Sequence, residues 1–337
     1  MDKYIQVVSR GGHLSREQCA EAFSEIMTGR QPDDRIAAFL SALADKGETV
    51  DEIVGAAEVM RRHATPIACI DPNAVDTCGT GGDGISTFNV STVAAIIAAG
   101  AGARVAKHGN YTNTRKSGSA EVFRALGVNI EAAPAAVARC LREARIGFLF
   151  AAHLHPAMKH AAAARHRLGR PTIFNLIGPL TNPAGVRRQV VGVARPELLP
   201  LIAEALRSLG AVRALVVHGH EGLCDLAITG PSSYIELRDG RTVSCSIRPE
   251  DVGLSPGSLD ALRVASPSES AAAIRAILAG ETGPRRNHAL LNAAAALLAA
   301  GLVADLRSGM VRAAAAIDCG AASTTLDQLV RISGEPA

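Results

Sequence analysis

From Val75 onward the chain alternates short, β-prone apolar runs with helical stretches, and that alternation restricts the fold more than any other feature. The runs are AVDTC, ARVAKHG, VNIE, IGFLFAA, RQVVGVA and RALVVHG, separated by stretches such as SAEVFRALG, PAAVARCLREA and PELLPLIAEALRSLG. Strands that are apolar throughout are buried on both faces, so the pattern predicts a mostly parallel sheet covered by helices on both sides. SYIELRDGRTVSCSI then predicts a hairpin turning at Asp239-Gly240.

The first 65 residues read differently. Ser15 with Gln18 and Thr49 with Glu52 form capping boxes. Between them PDDRIAAFLSALADKG carries acidic residues at its start, helical apolar spacing and Gly47 as a stop. Three helices in a small unit are expected. The tail from Ser266 is helical again, and PTIFNLIGPLTNPAG is the one loop-rich stretch long enough for the chain to cross between domains.

Composition narrows the function classes. With 3% aromatic residues and no Trp, the 337-residue chain lacks stacking platforms for single-stranded nucleic acid. A net charge of +3 is too mild for a nucleic-acid or membrane surface. Seven dispersed cysteines (Cys19, Cys69, Cys78, Cys140, Cys224, Cys245, Cys319) without a CxxC pair fit reduced thiols, and the start MDKYIQVVSR has no signal-peptide core. The late apolar segment ALLNAAAALLAAGLVADL carries Asn292 and relies on Ala, which favours buried helices over a membrane span. A soluble cytoplasmic protein is the expectation.

Residues 78 to 92 read CGTGGDGISTFNVST and run directly into the apolar VAAIIAAG. Glycines at 79, 81, 82 and 84 let the backbone approach a ligand, and the helix that follows offers its N-terminus. A phosphate or diphosphate is the natural guest. Asp83 beside phosphates requires a cation such as Mg²⁺ between or beyond them. The pattern is neither GxGxxG nor GxxxxGK[ST], so a dinucleotide site and a Walker loop are unsupported. The bland alternative is a glycine-rich turn that only caps a helix. VAKHGNYTNTRKSGSA, from Val105 to Ala120, is a second strand-loop-helix of the same kind. Alone it is equally well a solvated turn, but two such loops in successive βα units point to one polyphosphorylated ligand at the carboxyl ends of the strands. The pairs His153/His155 and His218/His220 have no further ligand at zinc spacing.

Taken together, GTGGDGISTFNVST, KHGN followed by KSGSA, HPAMKH with Arg165, TIFNLIGPLTNPA and VVHGHEGL resemble the anthranilate phosphoribosyltransferase family, in its order and spacing and over nearly the whole chain. The resemblance implies an α/β fold of nucleoside phosphorylase/phosphoribosyltransferase type, with a small all-α domain (residues 1–70 plus about 162–182) on an α/β domain (71–161 plus 183–337), the site in the cleft between them, and a homodimer. It implies transfer of phosphoribose from 5-phosphoribosyl 1-diphosphate to the amine of anthranilate, with Mg²⁺. Cosubstrate contacts map to Gly79, Gly82, Asp83, Thr87, Asn89, Ser91, Thr92, Lys107 and Ser119; acceptor contacts map to Gly79, His108, Asn110 and Arg165, whose planar fork suits a carboxylate. Ser91 and Asp225 fall on metal positions.

The chain departs from the family in two places. Where members carry an Asp-Glu metal pair it reads Cys224-Asp225, and a thiol suits hard Mg²⁺ poorly. After KHGN the usual Arg and Ser-Ser give way to Tyr111 and Thr114-Arg115. A paralogue with another aromatic acceptor and a class II nucleoside phosphorylase are the alternatives. An arylamine is unprotonated at neutral pH, so no strong general base is expected.

Overall fold

The computed structural model describes residues 1–69, 71–112 and 117–335. Four helices come first: α1 (Asp2–Ser9), α2 (Arg16–Met27), α3 (Asp33–Lys46) and α4 (Val50–Arg62). Both capping boxes form, with Ser15 and Thr49 accepting from the backbones of Gln18 and Glu52. The sequence reading counted three helices here. The first, α1, has no side-chain cap and is held instead by burial of Tyr4 and Val8.

The α/β part runs β1 (Val75–Gly79), α5 (Val90–Gly100), β2 (Val105–Gly109), α6 (Ser119–Ala125), α7 (Pro134–Glu143), β3 (Ile146–Phe150), α8 (Ala151–Leu154), α9 (Lys159–Leu168) and α10 (Ile173–Ile177). It continues through β4 (Arg188–Gly192), α11 (Leu198–Ser208), β5 (Arg213–Gly219), β6 (Ser232–Arg238) and β7 (Arg241–Ile247). Four helices close the chain: α12 (Pro267–Leu278), α13 (Pro284–Ala300), α14 (Leu306–Asp318) and α15 (Ala321–Gly334). The strands form one sheet of order β3-β2-β1-β4-β5-β6-β7, parallel through β5 and antiparallel across the β6–β7 hairpin. Asp239 and Gly240 both have positive φ (50° and 78°), as a two-residue hairpin turn twisted to match its strands requires.

Alternate residues of the central strands enter different cores. Val190, Leu215 and Val217 join the core built with α5, α12, α13, α14 and α15. Val191, Ala214 and Val216 face the opposite way, into a core shared with α1–α4, α9, α10 and α11. The side chains of α9 and α10 thus pack with the N-terminal helices.

Two local expectations fail. VNIE is a turn, because Asn129 Oδ1 accepts the Glu131 N–H at 3.1 Å and closes the chain on itself while Val128 and Ile130 still enter the core. The stretch expected to be loop holds α10, started by Thr172 N–H donating to Asn175 Oδ1 at 3.0 Å. Among the described residues, no helix is long and apolar enough to cross a membrane.

Candidate active site

From β1 the chain passes to β2 on one side, and it later returns to β4 on the other. The sheet therefore changes direction at β1, where the carboxyl ends of parallel strands leave a crevice. The glycine-rich loop between β1 and α5 borders it. Gly81, Gly82 and Gly84 have φ of 64°, 88° and 66°, a region open to glycine at no steric cost. Close approach matters too: a Cβ on Gly192, the β4 partner of Gly79, would collide with the Cys224 carbonyl oxygen. Gly79 and Gly82 are exposed at the crevice edge.

Asn89 caps α5. Its Oδ1 accepts the Thr92 N–H at 3.1 Å and the Ser91 hydroxyl at 3.2 Å, while its own N–H donates to Ser270 Oγ at 2.8 Å. Its Nδ2 donates to the Ser117 carbonyl at 3.4 Å, tying the first loop to the second. Around this cap the hydroxyls of Thr87, Thr92 and Ser117 are buried with no hydrogen-bond partner among the described residues. Buried hydroxyls are costly unless bonded, so the cap region carries polar groups whose hydrogen bonding is incomplete among the described residues.

Lys107 is 1% exposed. Its ammonium donates to the Thr77 carbonyl and, at 3.1 Å, to Ser91 Oγ. Burial pulls its pKa down, opposed by the nearby Asp76, Cys78 and Asp225. Asp83 reaches across the loop, its Oδ2 accepting the Cys224 N–H at 3.4 Å. Cys224 and Asp225 are both buried, and the Cys224 thiol faces the Gly81 carbonyl oxygen at 3.9 Å. Ser119 opens α6 and donates to the Asn110 carbonyl at 3.3 Å.

Two buried histidines meet beside the end of β2. His108 and His155 meet Nε2 to Nε2 at 3.2 Å, so one ring donates and the other accepts. Burial, helped by the neighbouring His155, lowers the His108 pKa to about 3, and burial lowers His155 to about 4. Both rings are neutral at pH 7. His155 caps the end of α8 and is the N-cap of the 3₁₀ turn at Pro156–Met158 that leads into α9. Arg165 is half-buried on α9, its guanidinium 5.0 Å from the Phe174 ring centroid. Phe174 packs against Phe23 of α2 at 5.4 Å, so the N-terminal helices back the arginine. Asn110 is exposed, its Oδ1 accepting the Tyr111 N–H at 2.9 Å. Thr114 and Arg115 lie outside the described residues.

Sequence reasoning passed over Asp76, Ser117, Phe174 and Asn182. Only Asp76 carried a local signal, a carboxylate inside a buried β-prone run.

Glycine-rich loops at the switch point of a mostly parallel sheet, with a helical unit packed on one of its faces, are an architecture found among glycosyl transferases. Residues 71–323 match the glycosyl transferase family a/b domain and residues 2–64 its helical bundle domain, and the chain belongs to that family. Within it, the chain is a member of the anthranilate phosphoribosyltransferases. It is 51% identical over 334 residues to anthranilate phosphoribosyltransferase of Roseiflexus sp. strain RS-1, covering 98% of this chain and 97% of that one. Against the enzyme of Anaeromyxobacter sp. strain K it is 49% identical over 333 residues, with 99% and 98% covered. The crystal structure of anthranilate phosphoribosyltransferase from Thermus thermophilus superposes with a TM-score of 0.93 at 40% identity, covering 99% and 100%. That from Saccharomyces cerevisiae in complex with PRPP and Mg gives 0.90 at 26%, covering 98% and 97%.

Proposed function

We propose that this protein transfers the phosphoribosyl group of 5-phosphoribosyl 1-diphosphate to the amine of anthranilate, giving N-(5-phosphoribosyl)anthranilate and diphosphate, a step of tryptophan biosynthesis. The observation that carries the reading is the α5 cap: Asn89, Ser91 and buried Lys107 joined in one network, ringed by three hydroxyls unpartnered among the described residues. In this reading Gly79, Gly82, Asp83, Thr87, Asn89, Ser91, Thr92, Lys107 and Ser119 hold the cosubstrate. The bond from ribose C1 to the diphosphate oxygen breaks, the amine nitrogen bonds to C1, and the amine gives up one proton. Lys107 and the loop N–H groups stabilise the charge that develops on the departing diphosphate.

Magnesium suits part of the donor set. Mg²⁺ takes one or two carboxylates and completes its shell with substrate phosphates and water. Ser91 Oγ and the Asp225 carboxylate are the oxygens that would hold it, and it would supply charge neutralisation at the diphosphate. The Cys224 thiol is not such a ligand.

Arg165 pairs with the anthranilate carboxylate in this scheme, and Asn110, Gly79 and neutral His108 orient the ring. An arylamine needs positioning more than proton abstraction, which agrees with a pocket whose histidines are uncharged. The packing of α9 and α10 supports a helical domain of residues 1–70 plus about 162–182 on an α/β domain of 71–161 plus 183–337. Free thiols at all seven cysteines support a cytoplasmic setting. The family resemblance supports a homodimer, to be checked by light scattering.

Turnover is the test. Purified protein, 5-phosphoribosyl 1-diphosphate, Mg²⁺ and a panel of amino-aromatic acids should yield the phosphoribosyl product with anthranilate best. Phosphorolysis of nucleosides without that product would sink the assignment.

A further inference from the structure

β1 meets its two neighbours in different ways. Against β4 it keeps register from Val75↔Arg188 to Gly79↔Gly192, but against β2 the register is Val75↔Val105 alone. Beyond that pair, side chains occupy the seam. The His108 N–H donates to Asp76 Oδ1 at 3.0 Å, and Asn182 Nδ2 donates both to Asp76 Oδ2 at 2.9 Å and to the Ala106 carbonyl at 2.8 Å. Lys107 Nζ donates to the Thr77 carbonyl. Asp76 is fully buried and Asn182 nearly so.

Burial pushes the Asp76 carboxyl pKa up, opposed by the nearby Lys107 and by the hydrogen bonds it accepts from Asn182 and the His108 N–H. Two N–H donors and a nearby ammonium converge on it, and none of them leaves it in water. The residues it touches divide between the two halves of the site. Lys107 belongs to the cosubstrate half, His108 to the acceptor half, and Asn182 to the segment after α10, where Gln189 Nε2 also donates to the Pro179 carbonyl at 2.7 Å.

We propose that Asp76 is a positioning residue whose carboxylate wedges β1 from β2 and so sets Lys107, His108 and the Asn182 segment together. The inference rests on the function proposed above, since its kinetic readouts are those of the two substrates. Removing the wedge disturbs both substrates at once, whereas removing Asn182 frees only the acceptor side.

Asp76→Asn preserves shape but turns one acceptor oxygen into a donor facing the Asn182 amide, leaving a buried donor unsatisfied. The expected result is a fall in kcat/KM of about a hundredfold, the scale of a small misplacement of reacting groups. 5-Phosphoribosyl 1-diphosphate affinity by titration calorimetry and the KM for anthranilate should weaken together, while the circular dichroism spectrum and cooperative melting persist. Asn182→Ala should raise the anthranilate KM with cosubstrate affinity largely kept. D76N with wild-type constants, or with a lowered melting temperature as its only change, overturns the proposal. If D76N does not fold, N182A decides, because an equal loss on both substrates or on neither also overturns it. Wild-type protein without turnover would sink the functional reading alone; calorimetry on D76N would still support the wedge by lost affinity or overturn it by unaltered affinity.

Discussion

The two halves of the proposed site are built by opposite strategies. The cosubstrate half is local: residues 79–92 supply the glycine turn, the helix cap and three of the hydroxyls in one βα unit, and Lys107 joins from the adjacent strand. The proposed acceptor half draws on His108 of β2, His155 after α8, Arg165 of α9 and Phe174 of α10, and its arginine is backed by Phe23 from the far end of the chain. A local site is fixed by a short turn and one helix cap. An assembled one depends on how the helical unit packs against the sheet. Substitutions in the first half should therefore strike chemistry, and those in the second should strike acceptor affinity.

The largest expected effect is at Lys107. Lys107→Met removes the buried cation bonded to Ser91 and should lower kcat/KM for the cosubstrate on the order of a thousandfold, the upper range for losing one preorganised charge-stabilising donor. It also removes the ammonium that opposes the raised pKa of buried Asp76, and some loss of stability should accompany the kinetic effect. Steady-state kinetics alongside urea melts separates the two losses. An anthranilate KM that rises as much as the cosubstrate KM would erase the division between halves.

Arg165→Ala comes next. A hydrogen bond to a charged group is worth about 1.5–3 kcal/mol, so the anthranilate KM should rise roughly tenfold to a hundredfold while the cosubstrate KM holds. Arg165→Lys should recover little, because an ammonium provides neither the planar fork nor the stacking on Phe174. Full recovery by lysine would show that the site reads charge alone.

Acid should affect the acceptor half through its histidines. Their folded pKa values, about 3 for His108 and about 4 for His155, lie below the ordinary 6.5, and His288, wholly buried with both ring nitrogens unpartnered among the described residues, is also held at about 3. Lowered values mean that the unfolded chain binds protons the folded chain refuses. The stability contributed by these neutral rings is fully present above pH 6.5 and is lost as pH falls towards 4 and 3. Melting temperatures between about pH 7.5 and pH 5 should fall steadily. Replacing His288 by Leu should flatten that slope without altering the anthranilate KM, whereas an unchanged slope would place the sensitivity elsewhere.

What the sequence disclosed follows the same division. Gly81, Gly82 and Gly84 and the Asp239-Gly240 turn are local devices, readable because residue type and spacing alone decide them. The capping boxes of α2 and α4 belong with them. The turn at VNIE escaped because the Asn129 side chain outcompetes β propensity. Asp76, Phe174 and Asn182 act through partners 32, 151 and 106 positions away, at His108, Phe23 and Asp76 respectively, and no window along the chain contains both members. Cys224 was visible as a departure from its family, but only the fold shows it buried against the Gly81 carbonyl rather than exposed.

Tyr111 carries the smallest effect and tests the boundary between the halves. It follows Asn110, sets its ring edge-on to Phe150 at 5.1 Å, and its hydroxyl accepts from Arg124 Nη2 at 2.7 Å, with that guanidinium 5.6 Å from the ring centroid. These contacts anchor the exit of β2 to α6 and β3. Tyr111→Phe removes only the hydroxyl bond, worth about 1 kcal/mol at most where water competes, and keeps the ring on Phe150. The anthranilate KM should rise by no more than a few-fold, with kcat and the cosubstrate KM unmoved. Tyr111→Ala removes the ring as well and should have the larger effect on the same constant. A change confined to the cosubstrate KM would instead place Tyr111 with the local half, and the line between the two strategies would then run through Asn110.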